Sequence, residues 1–540
     1  MQQKIYDYII VGAGSSGCVL ANRLSADPDV SVLLVEAGPD DKSPLIRMPR
    51  GIGKLLAPGN PHVWDYQVSP GGNASHEVWL KGRAVGGSSS VNGMVYVRGA
   101  PADYDAWERA GCHGWGWTEM GRHFVELEDH ALGANEWRGT GGPLKVSVHP
   151  AGDPLCEAFL EASEQAGIPR VADMNDIPSV TDGGMGYQPT TTHNGKRFSA
   201  ARAFLKPVRG RSNLDVTPGT DVLRILFEGK RACGIVARKA GQTFEVQARR
   251  EVIVCAGAIQ SPKLLQLSGI GPRRLLEGLG IPVVVDAPGV GANLQEHRYL
   301  GFTFRVRGQS LNQRLSGAGL VASFLRYLFA SSGPLTHSAH EVGGFIKTEA
   351  QLERPDAQVG MGLYSFHTDE KGAVVLDPFP GLTVIAYYMR PDSLGEVRIT
   401  SADPDAAPAI DANHLASAND RERFLALFRW LRNLARQPAL RDWIIEETGA
   451  TAGLETDEDI LANAIGLGGT SFHICGTCRM GSDTGAVLDP QLRVRGVTGL
   501  RVVDTSIMPT IVSGNTNAPA MAIALNAAEM ILRPQQDDGL

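Results

Sequence analysis

The sequence is poor in cysteine, and it lacks long apolar runs and blocks of positive charge. Seven cysteines in 540 residues are too few, and odd in number, for a disulfide framework, so a reducing compartment is expected. No apolar stretch approaches the ~20 residues of a membrane span. The 51 basic residues are outnumbered by 58 acidic ones, and the basic clusters are short. We therefore expect no transmembrane segment and no nucleic-acid partner.

Two of the cysteines, Cys475 and Cys478, form a C-x-x-C motif. A zinc site would need a second C-x-x-C or C-x-x-H pair, which the sequence does not contain. No thioredoxin-like context surrounds the motif either. Both cysteines are predicted to be buried, inert thiols, and no metal site is predicted.

The position of the first predicted strand indicates the cellular location of the protein. The first predicted strand begins at about Ile5, which leaves no room for a signal peptide before it. A cytoplasmic protein is therefore expected. Peripheral attachment to the inner face of a membrane stays open as an alternative.

The first 36 residues carry a dinucleotide-binding pattern. A strand ending at Val11 runs into Gly12, Gly14 and Gly17, and a helical stretch and a second strand ending at Glu36 follow. The three glycines permit a tight turn, close approach of backbone N–H groups to a pyrophosphate, and packing of the helix on the strand. The pyrophosphate would lie at the helix N-terminus. Glu36 has the spacing of an acid that accepts hydrogen bonds from the ribose, so the pattern predicts an adenine dinucleotide.

The rest of the chain alternates between segments with this α/β pattern and segments with a different pattern of strands and helices. Residues 82–92 form another stretch of small residues, interpreted as a second backbone cradle, and residues 214–254 contain short apolar segments typical of a β-meander. A later stretch predicts an amphipathic helix, with Asn419 as its N-cap and Pro438 after its end. Pro519 introduces a final helix. Because short strands return near the C-terminus, we predict a discontinuous dinucleotide-binding domain with a second domain inserted.

Four further motifs resemble those of the glucose–methanol–choline (GMC) flavoprotein oxidoreductases. They occur in the family's order and cover essentially the whole chain. They are residues 82–105, 257–271, 471–481 and 503–519.

The resemblance implies a fold, a cofactor and a reaction. The fold is α/β, with a discontinuous Rossmann-like FAD-binding domain and an α+β substrate domain that has an antiparallel sheet. The predicted intervals are 1–150, 201–300 and 461–540 for the FAD-binding domain, the last with the catalytic residues, and 151–200 and 301–460 for the substrate domain. The reaction is oxidation of a primary alcohol, aromatic, furanic or medium-chain, to the aldehyde. It proceeds by proton abstraction and hydride transfer to flavin N5, and O2 or a quinone-like acceptor reoxidises the flavin.

The resemblance also implies which residues meet FAD. The first glycine motif and Glu36 would serve the ADP half, the Val222 backbone would meet the adenine, and Asp504 would hold the ribityl or phosphate region. Thr516 and Asn517 would approach the pyrimidine edge of the flavin. The full predicted set is Gly12, Gly14, Ser15, Ser16, Gly17, Glu36, Ala37, Arg83, Gly86, Gly87, Ser88, Asn92, Gly93, Val222, Ala256, Gly257, Asp504, Thr516 and Asn517.

His473 and Asn515 are the predicted catalytic residues. An alcohol releases hydride only when its hydroxyl proton is removed or strongly attracted, so a base is needed beside N5. The imidazole of His473 can take a proton near working pH. The partner position, His or Asn in the family, is Asn515 here; its amide can donate a hydrogen bond to the forming alkoxide. The N-terminus of the final helix would stabilise negative charge on the reduced flavin.

Two departures from the family pattern narrow the predictions for FAD attachment and for the substrate. Several members attach FAD covalently through a histidine just before the asparagine at Asn92, but this chain has Val91 there, so non-covalent FAD is predicted. A choline oxidase would have a histidine soon after Asp356, where this chain has Gly360. This difference counts against choline as the substrate.

Other readings stay open at this point. Phe472 and the tandem Tyr387-Tyr388 suit an aromatic or medium-length primary alcohol. A choline-type dehydrogenase and a lyase that cleaves cyanohydrins with redox-silent FAD are the alternatives. A flavin-binding module without catalysis is disfavoured by the intact His473 and Asn515. Neither the choice of oxidase or dehydrogenase nor the oligomeric state is predicted.

Overall fold

Two seven-stranded sheets organise the protein, and its computed structural model describes residues 4–71, 76–368 and 374–533. The first sheet contains the N-terminal nucleotide-binding pattern. Its strands, in order across the sheet, are Leu214–Pro218, Val32–Glu36, Ile5–Val11, Gln242–Val254, Arg231–Lys239 and Thr220–Glu228, with Leu500–Val502 also paired to Gln242–Val254.

The first sheet is parallel on one side and antiparallel on the other. Ile5–Val11 pairs in parallel with both neighbours, and the chain reaches one of them, Val32–Glu36, by crossing over through helix Ser15–Leu24. Every residue of the first strand after Ile5 is buried, as expected for a parallel strand covered on both faces. The strands between residues 220 and 254 form the predicted antiparallel meander.

The second sheet is antiparallel throughout its described pairings. Its strands, in order, are Ile444–Thr448, Arg298–Val306, Gly381–Tyr388, Ala357–Gly362, Val342–Ile346 and Gly184–Tyr187, with Gly468–Thr470 also paired to Arg298–Val306. Together the two sheets confirm the predicted α/β fold with a second, antiparallel sheet.

Shorter strands pair outside the two sheets. They are Val63–Val68 with Glu77–Gly82, Glu128–His130 and Pro189–Thr190 with Leu144–Val148, Thr192–His193 with Lys196–Arg197, Ile270–Gly271 with Val285–Asp286, Phe366–Thr368 with Val374–Leu376, and Glu396–Arg398 with Ala409–Asp411.

Helices cover the sheets and join their strands. The α-helices are Ser15–Leu24, Pro44–Arg47, Ile52–Leu55, Pro101–Arg109, Trp117–Leu127, Pro154–Gln165, Ile177–Asp182, Gly257–Leu267, Arg273–Gly278, Leu311–Arg314, Gly317–Ala330, Ala418–Ala435, Pro438–Arg441, Asp457–Asn463 and Asn517–Leu532. Short helical turns of other types are Pro49–Gly51, Gly87–Ser90, Ala201–Leu205, Pro334–Thr336, Gly449–Thr451 and Thr505–Ile507. None of the helices in the described part of the chain is both long and apolar enough to cross a membrane.

Each large sheet is assembled from separated parts of the chain. The first sheet uses strands within residues 5–36, 214–254 and 500–502, and the second uses strands within residues 184–187, 298–388 and 444–470. Strand Gly468–Thr470 lies in an interval predicted for the FAD-binding domain, yet it pairs with the second sheet. The exact domain bounds stay a prediction.

The structure contradicts the predicted N-cap of the amphipathic helix and agrees with the predicted burial of the cysteines. The amphipathic helix begins at Ala418, and its N-cap is Ser417, whose hydroxyl accepts a hydrogen bond from the Asp420 N–H at 3.0 Å. The predicted N-cap, Asn419, was wrong, because that residue already lies in the first turn. All seven cysteines are buried and unpaired, including Cys475 and Cys478.

The first and last helices of the described chain pack together beside the nucleotide-binding turn. Helix Ser15–Leu24 contacts helix Asn517–Leu532. The Ser15 hydroxyl donates to Asn517 Oδ1 at 2.7 Å, and the Ser16 hydroxyl donates to the Ala520 carbonyl at 3.0 Å. The N-termini of both helices therefore lie at the same end of the first sheet.

We predict that Gly17→Ala destabilises the protein by about 3 kcal/mol, the upper end of the cost of overpacking. A Cβ at Gly17 would lie 1.9 Å from the Gly12 carbonyl oxygen, so the helix would have to move away from the strand. The measurement is the thermal unfolding of the two proteins. Gly53→Ala is the control, because nothing lies within 4 Å of a Cβ there; equal effects of the two substitutions would contradict the steric account.

Candidate active site

A cavity of about 490 Å³ is lined by residues of both sheets. Most of the predicted site residues line it: Gly12, Gly14, Ser15, Ser16, Glu36, Ala37, Gly87, Ser88, Asn92, Gly93, Val222, Ala256, Gly257, His473, Asp504, Asn515, Thr516 and Asn517. The sequence motifs thus converge on one space, although they are spread over 500 residues of the chain.

Three predicted residues, Gly17, Arg83 and Gly86, do not line the cavity. Gly17 lies against the backbone of Gly12, where it keeps the helix close to the strand. The Arg83 guanidinium lies over the Trp64 ring at 4.4 Å. Gly86 has a φ of 93°, a conformation that favours glycine, and its N–H donates to the Ala13 carbonyl at 2.7 Å. These residues support the walls of the cavity.

The two glycine-rich stretches close on each other at one end of the cavity. A Cβ at Gly87 would lie 2.7 Å from the Gly14 Cα, so any side chain there would force the stretches apart. Gly14 is the N-cap of helix Ser15–Leu24 and provides no side-chain cap, which leaves first-turn N–H groups free for a ligand. Free N–H groups at a helix N-terminus favour a phosphate group, so this cradle fits the pyrophosphate of FAD.

Glu36 supports the same cradle from the end of the second strand. Its carboxylate accepts hydrogen bonds from the Ala13 N–H at 2.9 Å and the Gly38 N–H at 2.8 Å. Burial raises the pKa of Glu36 to about 7. Each carboxylate oxygen keeps a lone pair that can accept a hydrogen bond from a ribose hydroxyl. Thr220 Oγ1, which has no hydrogen-bond partner among the described residues, is a further buried polar atom of a cavity-lining residue.

Asp504 holds the start of another helix at the cavity wall. Its Oδ2 accepts from the Gly257 N–H at 2.9 Å and from the Ser261 hydroxyl at 2.6 Å, and its Oδ1 accepts from the Ser506 N–H at 2.8 Å. The carboxylate therefore orders the backbone at Gly257, a residue that also lines the cavity.

A chain of hydrogen bonds runs through the two predicted catalytic residues. The Asn515 amide donates through Nδ2 to His473 Nε2 at 2.8 Å, and its Oδ1 accepts from Gln358 Nε2 at 3.0 Å. Gln358 Oε1 accepts from the Tyr387 hydroxyl at 2.6 Å. Gln358 and Tyr387 are paired on neighbouring strands of the second sheet, so this sheet fixes the orientation of the Asn515 amide.

The other ring nitrogen of His473 meets a second histidine. The two Nδ1 atoms of His473 and His297 are 3.0 Å apart, and His297 Nε2 is 2.9 Å from the Met389 carbonyl oxygen. Because a carbonyl only accepts, His297 carries its proton on Nε2, and its Nδ1 accepts from the N–H at His473 Nδ1. This assignment leaves a lone pair on His473 Nε2, the nitrogen that faces Asn515.

Burial keeps both histidines neutral. Burial lowers the pKa of His297 to about 4. Burial first, then His297 and Lys81, hold the pKa of His473 well below its usual value of 6.5. The Nε2 lone pair of this neutral imidazole accepts the hydrogen bond from Asn515, and it can accept a proton from an alcohol that takes the place of that contact.

Glu296 and Lys81 hold the peptide bond between Phe472 and His473. Glu296 Oε1 accepts from the His473 N–H at 3.0 Å, and Lys81 Nζ donates to the Phe472 carbonyl at 2.9 Å. Phe472 adopts a φ of 64°, which is uncommon for a non-glycine residue. Burial raises the pKa of Glu296 to about 7.

A histidine that the sequence analysis missed faces the cavity beside Gly360. A Cβ at Gly360 would lie 3.2 Å from His340 Cγ, so the absence of a side chain at 360 gives the His340 ring its space. Both residues line the cavity. The His340 ring forms no hydrogen bond within the described chain, and burial, helped by Arg50, lowers its pKa to about 4. His340 is thus a neutral polar group available to a ligand.

Aromatic and apolar side chains complete this end of the cavity. The residues Tyr299, Ile385, Tyr387 and Phe472 line it, whereas Tyr388 does not. Acids that line the cavity within the described ranges are Glu36, Asp221, Asp405 and Asp504. Asp221 and Asp405 both contact Arg238, so their charges are partly neutralised.

Several residues of the site have no sequence motif of their own. Glu296, His297, Gln358 and His340 come from segments that are distant from the glycine motifs and from His473, and Lys81 directly precedes the glycine-rich stretch 82–92. The adjacent Glu296 and His297, directly before strand Arg298–Val306, carry no pattern that indicates their burial beside His473.

Comparisons with known proteins agree with this arrangement. Two family models described as GMC oxidoreductase match residues 6–299 and 391–524. The chain is 39% identical to an alcohol dehydrogenase [acceptor] of Pseudomonas putida over 98% of this chain and 96% of that protein. It is 40% identical to the mitochondrial choline dehydrogenase of Homo sapiens, over 97% and 89% of the two chains. A crystal structure of pyridoxine 4-oxidase from Mesorbium loti superposes with a TM-score of 0.86 at 32% identity, covering 97% and 98% of the two chains.

We predict that the rate of flavin reduction by alcohol does not change as the pH is lowered from neutral to well below 6.5. The lowered pKa of His473 means that the ring stays unprotonated, and able to accept a proton, at pH values where an ordinary histidine is charged. Lys81→Met removes a nearby positive charge, so it raises the pKa of His473 and moves the acid limb to higher pH.

The measurement is the anaerobic rate of flavin reduction as a function of pH. Lys54→Met, at an exposed lysine, is the control and should leave the limb in place. The electrostatic account would be contradicted if the wild-type rate fell near pH 6.5 and Lys81→Met did not shift the pH of that fall.

Proposed function

The chain belongs to the GMC oxidoreductases, FAD-dependent enzymes that act on CH–OH groups, and on that premise we propose that it oxidises a neutral primary alcohol to the aldehyde. The observation that carries the proposal is the hydrogen-bond chain that leaves the His473 Nε2 lone pair beside the Asn515 amide. When bound, FAD supplies the two-electron acceptor of the reaction.

The proposed roles follow from the atoms that each side chain offers. The substrate hydroxyl donates its proton to His473 Nε2, while Asn515 Nδ2 donates a hydrogen bond to the same oxygen. His297 keeps the His473 ring in the required tautomer, and Gln358 keeps the Asn515 amide with its N–H groups toward the base. Removal of the proton raises the electron density on oxygen, which favours departure of the hydride.

The substrate class is proposed from the wall around these residues. Tyr299, Tyr387 and Phe472 provide an aromatic surface that suits an aromatic, furanic or medium-chain alcohol. The cavity-lining acids of the described chain are engaged elsewhere: Glu36 with the nucleotide cradle, Asp504 with Gly257, and Asp221 and Asp405 with Arg238. A trimethylammonium group would therefore lack a carboxylate partner, which is why we favour a neutral alcohol over choline.

The attachment of FAD and the final electron acceptor belong to the same proposal. Val91, which lines the cavity, has no nucleophilic atom, so we propose that FAD binds non-covalently. The reduced cofactor would pass its electrons to O2 or to a quinone-like acceptor. The seven buried, unpaired cysteines support a reducing, cytoplasmic location.

We predict that His473→Ala slows flavin reduction by alcohol at least about 100-fold, the usual lower range for loss of a general base. The variant should keep its yellow colour, and acid should release the flavin from both proteins because no covalent bond forms. Stopped-flow absorbance under nitrogen measures the reduction. His193→Ala, at an exposed histidine, is the control. Fast reduction in His473→Ala would remove the assignment of the base.

We further predict that His340 binds the substrate through its neutral ring and that its position depends on Gly360. Gly360→His should lower the second-order rate constant of flavin reduction about tenfold, because the new side chain displaces the His340 ring and a hydrogen bond is lost. The double variant His340→Gly/Gly360→His should recover most of that loss, since one imidazole again occupies the space.

The control for this pair is Gly210→His, at an exposed glycine with open space around it. It should reduce at the wild-type rate. Additive losses in the double variant would mean that the two positions do not share one imidazole site.

A further inference from the structure

Helix Gly317–Ala330 exposes an apolar surface that nothing in the described chain covers. Of its fourteen residues, only Ser323 is buried. Its large apolar side chains are between 42% and 82% exposed: Leu320, Val321, Phe324, Leu325, Leu328 and Phe329. A contiguous apolar surface of this kind marks a site of contact with a membrane or another protein.

Positive charge surrounds this helix. Arg47 and Arg202 lie near enough to Tyr327 to affect its pKa, and Arg314 and Arg326 act in the same way on His337, just after the helix. None of the four arginines forms an ion pair with another described residue. We call the helix together with these four arginines the docking surface.

The segment of sequence that contains this helix has no acidic residues. The sequence has no aspartate or glutamate between Glu296 and Glu341, although the whole chain has a net charge of −7. The nearby carboxylate of Asp41 is partly buried and lies close to Arg47 and Arg202. The docking surface is therefore locally basic on an acidic protein, which favours a negatively charged partner.

We propose that the docking surface binds an anionic lipid bilayer, with the apolar side chains of the helix in the interfacial region and the arginines at the lipid phosphates. Interfacial helices combine an apolar surface with basic residues in this way. A second copy of the chain fits less well. A symmetric dimer through this helix would bring together the same unpaired arginines from both subunits, and like charges oppose such a contact.

The docking surface adjoins the wall of the cavity. The turn Pro334–Thr336 follows the helix and contacts the turn Pro49–Gly51. Ile52 and Leu56, directly after that turn, line the cavity. Membrane binding would thus hold the cavity wall near the bilayer, where apolar alcohols concentrate. The binding itself does not depend on the proposed reaction.

Co-sedimentation of the FAD-loaded protein with lipid vesicles tests the proposal. We expect binding to vesicles of phosphatidylcholine mixed with phosphatidylglycerol, weaker binding to phosphatidylcholine alone, and a loss of binding as salt is raised. Leu328→Ser/Phe329→Ser should lower the affinity for the mixed vesicles at least about tenfold, because two of the most exposed apolar groups are removed. Arg314→Gln/Arg326→Gln should remove the preference for the anionic lipid.

Leu132→Ser/Leu394→Ser is the matched control, because both residues are exposed and lie outside helices and strands. It should bind the vesicles like the wild type, and all variants should keep the wild-type melting temperature and flavin absorbance. Equal binding of the wild type and Leu328→Ser/Phe329→Ser would overturn the proposal. A second result would also overturn it. The wild type would form a dimer in sedimentation equilibrium and would not bind vesicles, and Leu328→Ser/Phe329→Ser would dissociate the dimer, because the helix would then contact a second copy.

Discussion

The hydrogen bond from His297 Nε2 to the Met389 carbonyl determines the protonation of the whole catalytic chain. Because the carbonyl can only accept, the proton positions follow in one direction from His297 to His473 and leave the reactive Nε2 lone pair facing Asn515. Burial favours the neutral forms of both rings, so the arrangement holds a base without charging it. Gln358 completes the chain from the second sheet. A base aligned in this way requires both sheets to be in place.

A steric constraint governs the opposite end of the cavity. The stretches at Gly14 and Gly87 approach so closely that a side chain at Gly87 would force them apart. The approach leaves the N–H groups of the first helix open to a phosphate, while Glu36 holds the turn by two backbone hydrogen bonds. The nucleotide cradle and the base thus lie along one cavity, which is the geometry that a cofactor joining an adenosine to a reactive ring requires.

The parts of the fold and site that could be predicted from sequence are those with local causes. Gly12, Gly14 and Glu36 belong to one strand–turn–helix–strand unit, so their spacing alone indicates a nucleotide site. His297 reaches His473, and Gln358 reaches Asn515, only through strand pairing and loop contacts far along the chain, and no local pattern encodes either approach. The missed position of His340 has a similar cause, because its space is created by the absence of a side chain at Gly360.

The most direct measurement of the central claim is the absorbance of the bound flavin when the protein is mixed anaerobically with benzylic, furanic, aliphatic and choline substrates, followed by air. The account predicts that a neutral primary alcohol bleaches the flavin and that choline does not. Fast recovery in air with formation of peroxide would identify O2 as the acceptor, and slow recovery would indicate a quinone-like one. No bleaching by any alcohol, or bleaching by choline alone, would contradict the account.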